Sequence, residues 1–170
     1  SISINYICSV IFLYWGRDFF IYFRIQRAQI KYFDRNTANL IQKKYGKAKI
    51  ITATNVFAHI DNITELMKNV LKVLKNDGVF VTESHYLMPL IKDLQYDTIY
   101  HEHLRYYSLT SLKNIFDKFK LEIIHAKEIP THGGSIRVYV AKKNNYKKSK
   151  LIKKILNKEK KILNKKKFLE

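Results

Sequence analysis

The sequence predicts an α/β fold in which parallel strands are finished by an antiparallel one and followed by a lysine-rich helix. Three observations predict it. The runs "AKIITATNV" and "GVFVTES" are compact, apolar and rich in β-branched residues, as buried parallel strands are. Between them, Ile63, Leu66, Met67, Val70, Leu71 and Leu74 recur at helical spacing, which completes a strand–helix–strand unit. Further on, "LEIIHAKEIP" and "SIRVYVAKK" read as two strands joined around "THGG".

Each element has its own signals. "DRNTANLIQKKYG" opens with Asp34 and Asn36 as candidate N-caps, turns Ala38, Leu40 and Ile41 inward, and stops at Gly46: a short helix. A buried strand follows from about Lys49 to Thr54. The central helix is capped by Asp61 or Asn62, carries Glu65 in its first turn, and is closed by Asp77-Gly78 after about fourteen residues. After the second strand comes a long loop holding "YDTIYHEHLRYYS", and then "SLTSLKNIFDKFK", a helix capped by Ser108. The chain divides into an unassigned apolar segment over 1–30, an α/β domain over 31–143 and a lysine-rich helix over 144–170, readable as the start of a further domain.

At 170 residues and 46% apolar content the chain can bury one core. The formal charge is +18, but Lys142 to Glu170 hold 13 lysines against two glutamates, so this stretch supplies +11 of it. Lysine, isoleucine, asparagine and tyrosine are abundant throughout, a bias of AT-rich codons, which weakens the charge as a sign of nucleic-acid binding. The tail lysines are not interleaved with base-stacking aromatics, and no recognition motif occurs. The lone Cys8 excludes an internal disulfide framework and fits a reducing, cytoplasmic setting. The apolar opening is interrupted by Gly16, Arg17 and Asp18 and falls short of the roughly 20 residues a membrane span needs.

Ligands of open α/β sheets bind beyond the carboxyl ends of the strands. Asn55 and His59 follow the first strand there, and Glu83, His85 and Tyr86 end or follow the second. The loop after that strand adds Tyr100, His101, Glu102 and His103. A metal reading is the weaker one. His101 and His103 share a face of an extended chain while Glu102 does not, and with His59 the spacing matches no zinc pattern. An acid–base reading asks less of geometry: an imidazole near neutrality, a carboxylate to orient it and a tyrosine to donate to a developing oxyanion suit removal of a proton beside a carbonyl. His125, inside a strand, reads as a structural histidine.

Together, "ATNVFAHIDNI", "LKNDGVFVTESHYL", "YDTIYHEHLRYYSL" and "PTHGGSIRVYVAKK" resemble the SAM-dependent sugar C-methyltransferases, which methylate carbon 3 of nucleotide-linked 4-keto-deoxysugars. The resemblance runs from residue 31 to 143 and implies the C-terminal half of a Rossmann-like class I methyltransferase sheet. It implies that His103 removes the C3 proton, that Tyr100 and Glu102 hold the sugar and polarise reacting groups, and that His59 lies near the 4-keto oxygen. Asn55 falls where the family lines the S-adenosyl-L-methionine (SAM) pocket, and Tyr86, His132 and Arg137 fall on the substrate side. The implied partner is a nucleotide-sugar, with no nucleic acid and no membrane, and no metal is needed for the chemistry. The family's zinc belongs to a cysteine-rich N-terminal domain, and its SAM loop is glycine-rich; neither pattern is found in these residues, so the resemblance implies a fragment with impaired cofactor binding. Two other readings compete: methylation at oxygen or nitrogen of a small molecule, which needs no enolate, and a basic nucleic-acid-binding module.

Overall fold

The computed structural model describes residues 33–99 and 103–163, together with the backbone of a strand at 10–14. A single five-stranded sheet organises them. Its strands are β1 (Val10–Tyr14), β2 (Ala48–Thr54), β3 (Leu74–His85), β4 (Leu121–Ile129) and β5 (Ser135–Lys142), in the spatial order β1-β2-β3-β5-β4. β2 and β3 are parallel, with Ile51 opposite Phe80 and Thr54 opposite Glu83. β5 runs antiparallel to both β3 and β4. The β2-β3-β5-β4 portion is the expected end of a Rossmann-like sheet. β1 is also antiparallel to its neighbour, Val10 facing Thr54 and Tyr14 facing Ile50. This strand lies in the segment whose sequence shows no period.

The helices form where the caps predict. α1 (Arg35–Tyr45) starts at Asp34, whose carboxylate accepts from the Thr37 amide at 2.7 Å, and ends at Gly46 with φ of 74°. α2 (Ile63–Val73) starts at Asn62, which accepts from the Glu65 amide at 3.0 Å. α2 ends sooner than its apolar spacing predicts. Leu74 leaves the helix with φ −79° and ψ 133° and pairs with Ala48, so Asp77-Gly78 lies inside β3 instead of closing the helix. Gly78 permits this, because a Cβ there would stand 2.7 Å from Leu74 Cδ1. The loop after β3 contains a short helix that the sequence pattern does not disclose, α3 (Leu87–Lys92). α4 (Leu109–Lys118) has the predicted Ser108 cap, completed by Ser111 into a reciprocal capping box.

Inward residues of the sheet and helices make one core: Ile51, Phe80, Val138 and Val140 from the strands, Met67 and Val70 from α2, Leu112 and Phe116 from α4. Each such side chain stabilises by about 1.5–3 kcal/mol when fully buried. The lysine-rich segment contributes too. α5 (Lys150–Leu163) buries Ile152, Ile155 and Glu159, one face of the helix, against the α4 and β4 side of the domain. Only the outer faces of this helix carry exposed lysines.

Candidate active site

Beyond the carboxyl ends of the parallel pair lies a cavity of about 540 Å³, lined chiefly by Asn55, His59, Ser84, His85, Gln95 and His103, with Asp97, Thr98, His132 and Ser135 completing the wall. Three separate excursions of the chain build it. The first leaves β2 at Asn55, which takes a left-handed φ of 55° and donates its amide to Glu83 O at 2.9 Å. Asparagine tolerates that conformation better than most residues. A 3₁₀ turn over Phe57–His59 then carries His59 into the wall.

The second excursion leaves β3 after His85 and returns at Tyr107. Its neck is tied by a parallel bridge between Tyr86 and Tyr107, and the Leu87 amide donates to Tyr107 O at 2.9 Å. The third is the turn between β4 and β5. His132 is left-handed there (φ 52°), and Gly133 and Gly134 have φ of 73° and 116°. Both glycines face the second excursion: a Cβ on Gly133 would meet Gln95 Oε1 at 2.7 Å, and one on Gly134 would meet Pro89 Cγ at 2.6 Å. The two excursions therefore touch through positions where no side chain fits.

Hydrogen bonds assign proton positions in the wall. His103 Nδ1 lies 3.1 Å from Thr98 O. A carbonyl oxygen only accepts, so Nδ1 carries the hydrogen and Nε2 bears the lone pair of the neutral ring. The Tyr106 hydroxyl donates to the same carbonyl at 3.0 Å. Gln95 donates its amide nitrogen to Gly133 O at 2.8 Å, which turns Oε1 toward His85 Nε2 at 3.3 Å. His85 is thus protonated at Nε2, the opposite tautomer from His103. The rings adjoin: His59 and His103 have centroids 5.1 Å apart, and His85 and His103 6.1 Å. Ser84 is buried, and its Oγ has no hydrogen-bond partner among the described residues.

Half of the eight predicted site residues meet at this wall. His103, His59, Asn55 and His132 line the cavity. Tyr100 and Glu102 lie outside the described residues. Tyr86 is corrected: it is fully buried, donates its hydroxyl to Glu159 at 3.0 Å, and does not line the cavity. Burial, and then the charge of Glu159, push its phenol above the usual tyrosine range. Arg137 does not line the cavity either. Its guanidinium pairs with the buried Glu83 carboxylate at 2.6 Å, outside the lining. Gln95, Thr98, Ser84 and Ser135 carry no sequence signal of their own, since only the meeting of separate loops gives them a role. Among the described residues no group of three His, Cys, Asp or Glu side chains is placed to hold a metal ion.

A polar, histidine-rich cavity at the carboxyl edge of a parallel pair defines an α/β enzyme site. Comparison with known proteins gives the family. The sequence pattern described as "Methyltransferase domain" matches residues 14–126, and this chain belongs to that family. The C-methyltransferase NovU of Streptomyces niveus is 40% identical over 101 residues, which are 59% of this chain and 24% of NovU. The chain thus spans about a quarter of that relative's length. Among solved structures, magnesium protoporphyrin IX methyltransferase (ChlM) from Synechocystis PCC 6803 with bound SAH superposes at a TM-score of 0.44 with 8% identity, over 56% of this chain and 45% of that one. No helix among the described residues is long and apolar enough to cross a membrane.

Proposed function

We propose that this domain serves a SAM-dependent C-methyltransferase acting on carbon 3 of a nucleotide-linked 4-keto-deoxysugar. The observation that carries the reading is the orientation of His103. Its Nδ1–H is committed to Thr98 O, so Nε2 is the basic nitrogen, on a ring that lines the cavity beside His59. The likeness to NovU, a C-methyltransferase, supports carbon as the acceptor.

The cavity suits a polar cofactor. Ser84 Oγ is a buried hydroxyl without a hydrogen-bond partner among the described residues, and Asn55 stands at the same wall. These are the residues of this chain that would hold SAM, which when bound supplies an electrophilic sulfonium methyl group. His103 Nε2 takes the C3 proton that the neighbouring ketone has acidified. The electrons of the broken C–H bond pass to the C3–C4 bond and onto the keto oxygen, where His59 donates. His103 leaves the step as an imidazolium, with its Nδ1–H still bound to Thr98 O. Tyr100 and Glu102 hold the sugar and polarise the reacting groups in this reading. Holding base and carbon together replaces a bimolecular encounter and lowers the barrier by several kcal/mol.

His103→Gln in the full-length enzyme tests the reading. Turnover is expected to fall by about 10²–10⁴-fold, and exchange of the C3 hydrogen with deuterated water, measured without SAM, should vanish with it. A variant that keeps its rate overturns the proposal and points to oxygen or nitrogen methylation, where no carbon acid is formed.

A further inference from the structure

Glu159 belongs to the segment that reads as a lysine-rich tail, yet it is 0% exposed and the proposed chemistry does not use it. Four donors converge on its carboxylate. Oε1 accepts from Tyr86 Oη at 3.0 Å and from the Leu109 amide at 2.5 Å. Oε2 accepts from the Thr110 amide at 2.9 Å and from Thr110 Oγ1 at 2.5 Å. Leu109 and Thr110 open α4, so the negative charge also meets the positive end of the helix dipole. One side chain of α5 therefore grips the last residue before the 87–106 excursion and the first two residues of α4, which follow it.

Between those two grips runs the part of the chain that carries Gln95, Asp97, Thr98 and His103, four residues of the cavity wall. Its neck has further ties in the Tyr86–Tyr107 bridge, the Leu87 amide on Tyr107 O, the Tyr86 amide on Gly134 O at 3.0 Å and the Tyr107 hydroxyl on Phe57 O at 3.1 Å. Its far end is tied by the Leu104 amide on Ala58 O at 2.9 Å and by Arg105 on Ile60 O and Asp61 O. We propose that Glu159 is a positioning residue, which closes the neck of the 87–106 excursion and so fixes Thr98 and His103 against His59. The consequence for catalysis rests on the function proposed above; the mechanical claim does not.

The chemistry of the substitutions is decisive. A glutamine at 159 puts an NH2 group where one carboxylate oxygen stood, and a donor backbone amide faces each of those oxygens. Tyr86 or Thr110 can turn its hydroxyl to accept, but the amide of Leu109 or Thr110 cannot. Tyr86→Phe removes only the grip on Tyr86, just beyond β3, and leaves the α4 amides satisfied. Ile155→Ala is the control, because it weakens the packing of the same helix without touching the clamp.

Amide hydrogen exchange on the full chain and these variants reads the clamp without any turnover. With Glu159→Gln, exchange in 95–99 and 103–106 is expected to rise about five- to tenfold over that of β2 and β3, and Tyr86→Phe should give a smaller rise in the same peptides. Glu159→Asp, which restores the charge, should recover part of the protection. Ile155→Ala should raise exchange throughout, without singling out the excursion. The proposal is overturned if Glu159→Gln leaves 95–106 protected, or accelerates the sheet and the excursion by the same factor. Protection lost as expected, alongside a His103→Gln enzyme that keeps its rate, would leave the clamp standing and remove the proposed function.

Discussion

Replacing Gly134 by alanine separates backbone strain from steric contact in the wall of the site. The residue sits at φ 116°, ψ 116°, a region that residues with a Cβ rarely enter. Its hypothetical Cβ would lie 2.6 Å from Pro89 Cγ and 2.8 Å from Pro89 Cβ, far inside the 3.5–4.0 Å of an ordinary carbon contact. Strained backbone costs about 1–3 kcal/mol, and forcing an extra methyl into a filled space costs about 1–3 kcal/mol more. Gly46 supplies the reference, since its φ 74°, ψ −156° is equally restricted but nothing lies within 4 Å of a Cβ there. Gly134→Ala should therefore destabilise by about 2–6 kcal/mol and Gly46→Ala by about 1–3 kcal/mol. With a urea dependence of about 2 kcal/mol per molar, the contact alone moves the unfolding midpoint by about 0.5–1.5 M. Equal midpoints for the two variants would show that α3 gives way around Pro89, and that the two excursions are not held together by this contact.

Three further outcomes are expected. Arg137→Met leaves the buried Glu83 carboxylate without its cation and should cost about 3 kcal/mol in urea unfolding, most of it recovered by adding Glu83→Gln. Ser108→Ala removes the Ser108 Oγ half of the α4 capping box, leaves the Ser108 amide on Ser111 Oγ, and should lower stability by about 1 kcal/mol, while Thr110→Ala should spare both halves. Glu122 is nearly buried; burial raises its carboxyl, but Lys148, the Asn144 amide and Lys143 together outweigh that and hold it below the ordinary 4.5. Its folded-state pKa is depressed, so its contribution is complete above pH 4.5 and is lost as pH falls through the lowered value. The stability difference between wild type and Glu122→Gln should therefore shrink on acidification below that point, which pH-dependent thermal melts will show.

Period and caps made the inner layers of this domain legible. The compact β-branched run of β2, the cap at Asn62 and the cap at Ser108 each have a local cause that survives folding. What escaped has a tertiary cause. Leu74 satisfies a helical period, but sheet pairing with Ala48 and the bare Gly78 draw it into β3. In α5 the lysine count hides the register of Ile152, Ile155 and Glu159, where an acid shares the apolar face and its burial follows from donors 49 to 73 residues earlier in the chain. His59 and His103 stood out because imidazoles near strand ends are chemically conspicuous. Tyr86 and Arg137, placed on the substrate side by the resemblance, do not line the cavity, because a motif match does not say whether a phenol or guanidinium already has a partner inside the protein. Gln95 was silent, although its amide sets the tautomer of His85.

The reversed direction of β1 has a consequence for recognition at the cavity rim. A turn leaving a strand that runs along with β2 commonly leads into a helix, whose amino end then offers its amides to an anionic or polar guest. β1 arrives at that rim with Val10 opposite Thr54 and departs at the far one, with Tyr14 opposite Ile50. β1 therefore sets its first residue, and not an outgoing strand end, beside Thr54 at this rim.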